Sequence, residues 1–259
     1  MTAVPADPRP AAVILAAGAG SRLGELGKRY SKAMLPIAGR PLIDWVVERL
    51  QEAGIGRIIV VGHPSDRQLA TFLEASHPRI ALVLQPQRRG IADALRTALP
   101  EVGSERAYLA CACDSLFTVE DIKRVIELGT SNQGRAVVGV LEMGVEATPT
   151  RSAVRLDGDR VVEIVEKPAP GTSLSGLVAM PLYWLPPEIA PSLDAAIPAE
   201  GEGYVSVVLA QFAACGGDVR ACRLSGRIEV TSADDVAAAS AMLESSHGDG
   251  LWRGTSGAA

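Results

Sequence analysis

Two basic side chains set among glycines carry most of the chemistry this sequence can do. Arg22 follows Gly18 and Gly20 in Ala16-Ala-Gly-Ala-Gly-Ser-Arg-Leu-Gly24, and Lys32 opens Lys-Ala-Met-Leu-Pro-Ile-Ala-Gly-Arg-Pro-Leu42. The glycines permit positive φ and remove side chains, so backbone N–H groups can close around anionic oxygens. Arg22 adds a rigid fork and Lys32 a mobile point charge. Such a loop suits a polyphosphate. It is neither of the two commoner phosphate loops. A dinucleotide fingerprint needs G-x-G-x-x-G and an acid ending the second strand, but the third glycine, Gly24, is one residue late and the strand Ile58 to Val61 ends in Gly62-His63. A P-loop needs a glycine where Arg22 stands and Ser or Thr where Arg29 follows Gly27-Lys28.

Three further groups stand at points where a fold delivers side chains to a ligand. Asp114 follows the apolar run Tyr108-Leu-Ala-Cys-Ala-Cys113, at the carboxyl end of a buried strand. A carboxylate there is a hard oxygen ligand for Mg²⁺, which keeps waters and bridges to substrate phosphates. Gln85-Pro-Gln-Arg-Arg-Gly90 closes another strand, and an amide can donate and accept at once. Arg88 and Arg89 beside it read as a solvated face. Glu163-Ile-Val-Glu-Lys-Pro168 brings Glu166 and Lys167 to the end of a third strand.

The elements that must position these groups follow from apolar spacing. Val13, Ile14 and Leu15 read as a strand buried on both faces of a parallel sheet. Helices are predicted over 41–53, 65–74, 91–99, 119–128, 204–214 and 233–243, and strands over 58–61, 80–84, 107–112, 136–141, 178–184 and 219–224. Ala153 to Leu156 and Val161 to Val165 flank Asp157-Gly158-Asp159, a strong hairpin signal. The alternation predicts an α/β fold, a doubly wound, mostly parallel, Rossmann-like sheet with a smaller β-rich part. Residues 11–244 read as one domain, with a first part over 11–130 and a second over 131–244. Residues 1–10 read as a disordered leader and 245–259 as a flexible tail.

The runs Leu15 to Leu23 and Lys32 to Ile43 resemble the signature of the nucleotidylyltransferases, L-A-A/G-G-x-G-x-R-L followed by K-x-M-L-P-I-x-G-x-P-L-I. That resemblance implies an enzyme that moves a nucleotide from an NTP to a sugar 1-phosphate or a related phosphorylated alcohol, releasing pyrophosphate. It implies that Leu15, Ala17, Gly18, Gly20, Gln85 and Gly90 hold the nucleotide, with Gln85 reading the base edge and Gly90 letting the base approach the backbone. Arg22, Lys32 and Lys167 become the catalytic cations, Glu166 and Lys167 the acceptor contacts, and Asp114 the first ligand of Mg²⁺. The second metal ligand falls near Gly226-Arg-Ile-Glu-Val-Thr231, where Glu229 is the expected residue and Thr231 the alternative. Thr231 or Ser232 can instead cap the last helix.

The acceptor side departs from the family. Arg151-Ser152 replaces a Tyr-Gly pair, Ser175-Gly176-Leu177 replaces an asparagine, and a tryptophan before the second metal position is missing. Ser152 and Gly176 are therefore the acceptor-facing positions, and a cyclitol phosphate or modified sugar 1-phosphate is expected over glucose 1-phosphate. The rivals are a cytidylyltransferase acting on phosphocholine, a phosphonate or a methylerythritol-type phosphate, and a noncatalytic nucleotide-binding regulator.

Composition agrees with a cytoplasmic enzyme. Apolar residues make up 47% of the 259 and aromatics only 4%, so small aliphatics must build the core. A net charge of −5 argues against a nucleic-acid partner. The four cysteines include the pair Cys111 and Cys113, whose spacing suits neither a redox pair nor a zinc ribbon. No apolar run is long enough to span a membrane. Whether the chain forms a homo-oligomer is left open.

Overall fold

The computed structural model describes residues 9–103, 106–173 and 175–246. Most of the residues expected to be leader or tail therefore lie outside the described ones. Nine strands form the main sheet: β1 (Ala11–Leu15), β2 (Arg57–Gly62), β3 (Ala81–Leu84), β4 (Tyr108–Ala112), β5 (Arg135–Glu142), β6 (Ser152–Asp157), β7 (Arg160–Glu166), β8 (Leu177–Leu185) and β9 (Asp218–Arg223). Their spatial order is β3-β2-β1-β4-β8-β5-β9-β7-β6. The helices are α1 (Glu25–Arg29), α2 (Leu42–Glu52), α3 (Arg67–Ser76), α4 (Gly90–Val102), α5 (Val119–Thr130), α6 (Ala190–Ala195), α7 (Val205–Ala214) and α8 (Ala233–Ser246).

Strand β1 lies inside the sheet, third from one edge, and is buried along its whole length. Ala12 and Ile14 face a layer built from α2, α3, α5 and α8, while Val13 and Leu15 face α4, α6 and α7. Helices thus cover both faces, which is why β1 carries no polar alternation. Side-chain caps fix the starts of α3 and α5: Asp66 accepts from the Leu69 N–H at 3.0 Å and Thr118 from that of Asp121 at 3.0 Å. The Asp66 cap moves the start of α3 two residues past the expected one. The short helices α1 and α6, too brief to show apolar periodicity, were not anticipated.

Parallel pairing is confined to two places. β1 pairs parallel with β2 and β4, and β2 with β3; in the second half only β5 and β9 pair so. Strand β8 runs antiparallel between β4 and β5, and the hairpin β6–β7 joins β9 antiparallel at the far edge. The expectation of a mostly parallel sheet holds for the first half and fails for the second. The departures are β8, which runs antiparallel to β4, β5 and β6, and the hairpin β6–β7, whose tight turn at Gly158-Asp159 reverses the chain. Strand β8 then links both halves, pairing Leu182–Leu185 with β4 and Val178 with both β5 and β6.

Candidate active site

The loop after β1 begins as an extension of the sheet, with the Ala16 N–H donating to Val61 O at 2.8 Å. Gly20 has φ +64°, where a side chain would be strained, and a Cβ there would lie 2.9 Å from the buried Leu23. Gly18 differs from its expected role. Its φ is not left-handed, and a Cβ there would meet nothing within 4 Å, so what it supplies is open space beside the loop.

Asp114 arrives at the same place from β4, whose end is tied to β1 by the Cys113 N–H donating to Leu15 O at 3.1 Å. Lys32 Nζ donates to Asp114 Oδ2, and Ser115 Oγ donates to Oδ1 at 3.1 Å. Behind Asp114, burial pushes the Cys111 thiol up to about 12 and the Cys113 thiol higher, so both are inert packing groups at neutral pH.

Between loop and carboxylate opens a cavity of about 270 Å³. Leu15, Ala17, Gly18, Lys32, Gln85, Gly90 and Asp114 line it, all from the expected set. Arg88, Glu202 and Tyr204 line it too and were not anticipated. Arg88 is no free solvated side chain, since its Nε donates to Ala17 O at 2.9 Å and closes one side of the loop. A second hollow of about 320 Å³ shares Gly18, Lys32 and Arg88 with the first and adds Lys28, Arg29 and Arg67. These cations gather around one loop of a protein with net negative charge. Arg22 is exposed on the turn after Gly20 and lines neither hollow.

Gly90 is also constrained by the protein's own backbone. It has φ +88°, and a Cβ would lie 2.5 Å from Gly203 O, so the backbone that approaches it is the protein's own. Gly203 N–H donates to Arg89 O at 2.8 Å and Gly203 O accepts from Ala92 N–H at 3.1 Å. This contact carries Glu202 and Tyr204 to the cavity rim.

On the acceptor side, Glu166 ends β7 and takes hydroxyls from Ser152 and from Ser206, the latter at 2.7 Å, on the same Oε2. Its Oε1 is 3.8 Å from Lys167 Nζ. Ser152 is thus spent on positioning Glu166. Lys167 has φ +44°, a conformation costly for a side chain, and its N–H donates to Arg151 O at 2.9 Å. Its ammonium donates to the Tyr204 hydroxyl at 3.1 Å and lies 4.6 Å from the Tyr204 ring centre. That hydrogen bond, opposed by partial burial, raises the Lys167 pKa, so it stays cationic through neutral pH. Gly176 is packed against the Gly144 backbone, 2.9 Å from where its Cβ would be, and lines no part of the main cavity.

Glu229, expected as the second metal ligand, is engaged with arginines. Residues Ile228–Glu229 pair antiparallel with Ser115–Leu116, and the Val230 N–H donates to Asp114 O at 2.9 Å. Val230, fully buried, therefore stands opposite Asp114. Glu229, one residue away, pairs with Arg151 at 3.0 Å and with Arg227. A carboxylate held by two guanidiniums is a poor metal ligand. Thr231 is committed elsewhere, its hydroxyl donating to Asp235 at 2.9 Å in the cap of α8. Among the described residues no cluster of three or more His, Cys, Asp or Glu is placed to hold a metal. Asp114 alone fits one, because Mg²⁺ accepts a single carboxylate when phosphates and waters complete its shell.

A family model described as a MobA-like NTP transferase domain matches residues 12–215. The chain is 30% identical over 213 residues to the UTP–glucose-1-phosphate uridylyltransferase of Staphylococcus epidermidis, covering 71% of this chain and 74% of that protein. It is 31% identical over 164 residues to the bifunctional protein GlmU of Parvibaculum lavamentivorans, which covers 61% of this chain but only 34% of that longer protein. A solved structure of apo UDP-glucose pyrophosphorylase superposes with a TM-score of 0.82 at 22% identity, covering 92% of this chain and 99% of that one.

Proposed function

The chain belongs to the MobA-like NTP transferase family, and from that premise we propose that it transfers NMP from an NTP to a sugar 1-phosphate or a related phosphorylated alcohol, with release of pyrophosphate. The observation that carries this reading is the cavity in which the glycine loop, Lys32 and Asp114 meet. The acceptor's phosphate oxygen is already anionic, so no general base is needed, and attack on the α-phosphorus demands alignment and charge neutralisation. The loop N–H groups and Lys32 hold the NTP phosphates. The cationic hollow with Lys28, Arg29 and Arg67 receives the departing pyrophosphate. Lys167, presented through Tyr204, attracts the acceptor phosphate, and Glu166 takes its hydroxyls. Arg22, exposed on the turn after Gly20, adds positive charge beside the loop.

Enzymes of this family generally need a divalent metal. Asp114 would hold it as Mg²⁺ through one carboxylate, supplying charge neutralisation at the phosphates, and the Lys32 ammonium would then turn to those same phosphates. In this reading residues 11–130 receive the nucleotide and 131–244 the acceptor, with Tyr204 and Glu202 crossing from the second part into the first. Ser152 is engaged with Glu166 and Gly176 lies outside the cavity, so a preference for a cyclitol phosphate or modified sugar 1-phosphate over glucose 1-phosphate rests on the missing Tyr-Gly and asparagine contacts rather than on these two residues. Among the described residues no helix is long and apolar enough to cross a membrane.

Pyrophosphate release across a panel of NTPs, each with glucose 1-phosphate, a cyclitol phosphate and phosphocholine, tests the proposal. Release that requires NTP, acceptor and Mg²⁺ together is expected. Tight NTP binding without turnover of any acceptor would favour the noncatalytic regulator instead.

A further inference from the structure

Gln85 ends β3 on the wall of the cavity and is only 2% exposed. A free amide can turn either edge toward a ligand, because its oxygen and nitrogen are nearly equal in size. Here it cannot. Its Nε2 donates to Asp93 Oδ2 at 2.8 Å and to Gly90 O at 3.2 Å. A peptide carbonyl is only an acceptor, and an ionised carboxylate likewise. Asp93 is buried in the first turn of α4, 5% exposed, with Arg89 at 3.1 Å and Arg96 at 3.2 Å from its Oδ1. Burial is the largest influence and pushes its pKa up, but the hydrogen bonds from Gln85 and Arg89 and the two arginine charges bring it below the ordinary carboxylate value. Asp93 is therefore an anion at neutral pH. Turning Gln85 over would set its oxygen against two acceptors. Among the described residues no donor reaches Gln85 Oε1, so the group left for a ligand is an acceptor.

We propose that Asp93 is a positioning residue that makes Gln85 a one-way acceptor, so that the site selects a base with a hydrogen on the ring nitrogen of its pairing edge. That nitrogen, N3 in pyrimidines and N1 in purines, carries hydrogen in uracil, thymine and guanine and a bare lone pair in cytosine and adenine. Opposite that ring nitrogen a fixed carbonyl oxygen gains a hydrogen bond from the first group and faces the lone pair of the second, whose exocyclic amine could reach it only by a shift of the base along the edge. Discrimination by a hydrogen-bonding site is strong because the wrong partner leaves a buried polar group unpaired. The inference rests on the cavity being the NTP site.

The test compares UTP with CTP, and GTP with ATP, in Mg²⁺-dependent binding by calorimetry and in kcat/KM with one acceptor. Wild type is expected to favour UTP over CTP by about a hundredfold or more. Asp93→Asn, whose amide can accept from Gln85 or donate to it, frees the Gln85 side chain to turn over and narrows that ratio to about tenfold or less. Gln85→Met keeps the bulk, removes the acceptor and abolishes the preference, which tests the same point if Asp93→Asn does not fold. A merely structural Asp93 would weaken all NTPs in proportion, so an unchanged ratio in a folded Asp93→Asn protein overturns the proposal. Equal use of CTP and UTP by wild type overturns it as well. Binding of no NTP by wild type would remove the nucleotidyl-transfer reading itself and this inference with it.

Discussion

The two sides of the cavity are held by different means. On the nucleotide side each functional group is tied close to the strand or loop that delivers it. Arg88 is fastened to the loop carbonyl of Ala17, Gln85 to its own helix start through Asp93, and Asp114 to the neighbouring strand through Cys113. On the acceptor side the groups lean on one helix that arrives from far along the chain. Glu166 is held by Ser206 of α7, and Lys167 by Tyr204 just before it. The first arrangement rests on parallel strands whose carboxyl ends converge; the second rests on an antiparallel hairpin that needs α7 to aim it. Disturbance of α7 should therefore damage acceptor handling more than nucleotide binding, which the start of α7 meets only at the cavity rim.

The largest effect should come from the nucleotide side. Asp114→Asn keeps the size of the side chain but turns one accepting oxygen into an N–H donor, weakening its hold on Lys32 and on a cation, and a loss of about 10²- to 10³-fold in kcat is expected. Lys32→Ala should raise the NTP KM as well, and by more than Arg22→Ala, since Lys32 lines the cavity and Arg22 does not. Near-normal turnover of Asp114→Asn at saturating Mg²⁺ would remove Asp114 from the chemistry, and equal effects of the two cations would dissolve the ranking.

A smaller change should separate the two sides. Tyr204→Phe deletes the hydroxyl that orients Lys167 while keeping the ring beneath its ammonium. It should raise the acceptor KM about threefold to tenfold, in keeping with one charge-assisted hydrogen bond, and leave NTP binding unchanged. Calorimetry with NTP alone gives the control. An equal loss in NTP affinity would mean that the two sides are not independent.

The smallest effect lies outside both. Ser232 and Asp235 form a reciprocal cap on α8, with Asp235 N–H donating to Ser232 Oγ at 3.3 Å and Ser232 N–H to Asp235 Oδ2 at 2.8 Å. Ser232→Ala should cost about 1 kcal/mol of stability in denaturant unfolding, with the UTP and acceptor KM values unchanged. Burial acts to raise the Asp235 pKa, but hydrogen bonds from Thr231 and Ser232 outweigh it and leave the value lowered. A lowered folded value means that this stabilisation is complete above the ordinary carboxylate pKa of about 4 and is lost as pH falls through the folded value. The stability gap between wild type and Asp235→Asn should accordingly shrink on acidification below about pH 4. A gap that persists to pH 2 would assign the effect to packing.

The order and type of the longer elements, the glycine loop, Lys32, Gln85 and Asp114 were legible in the sequence, because each belongs to a local pattern. An apolar run followed by small residues fixes a strand and its turn within a dozen positions. What the sequence left undecided was every choice that depends on partners distant along the chain. Periodicity could not show that β8 enters antiparallel between β4 and β5. It could not show that Val230 rather than Glu229 faces Asp114, since shifting a two-stranded pairing by one residue reverses which side chain points inward. Nor could it find Tyr204 or Ser206, which stand in no motif, or the tie of Arg88 to the loop, since these arise only when α7 and the loop before α4 are packed in place. The tertiary structure alone decided the polarity of Gln85, because a buried amide takes its direction from the acceptors that surround it.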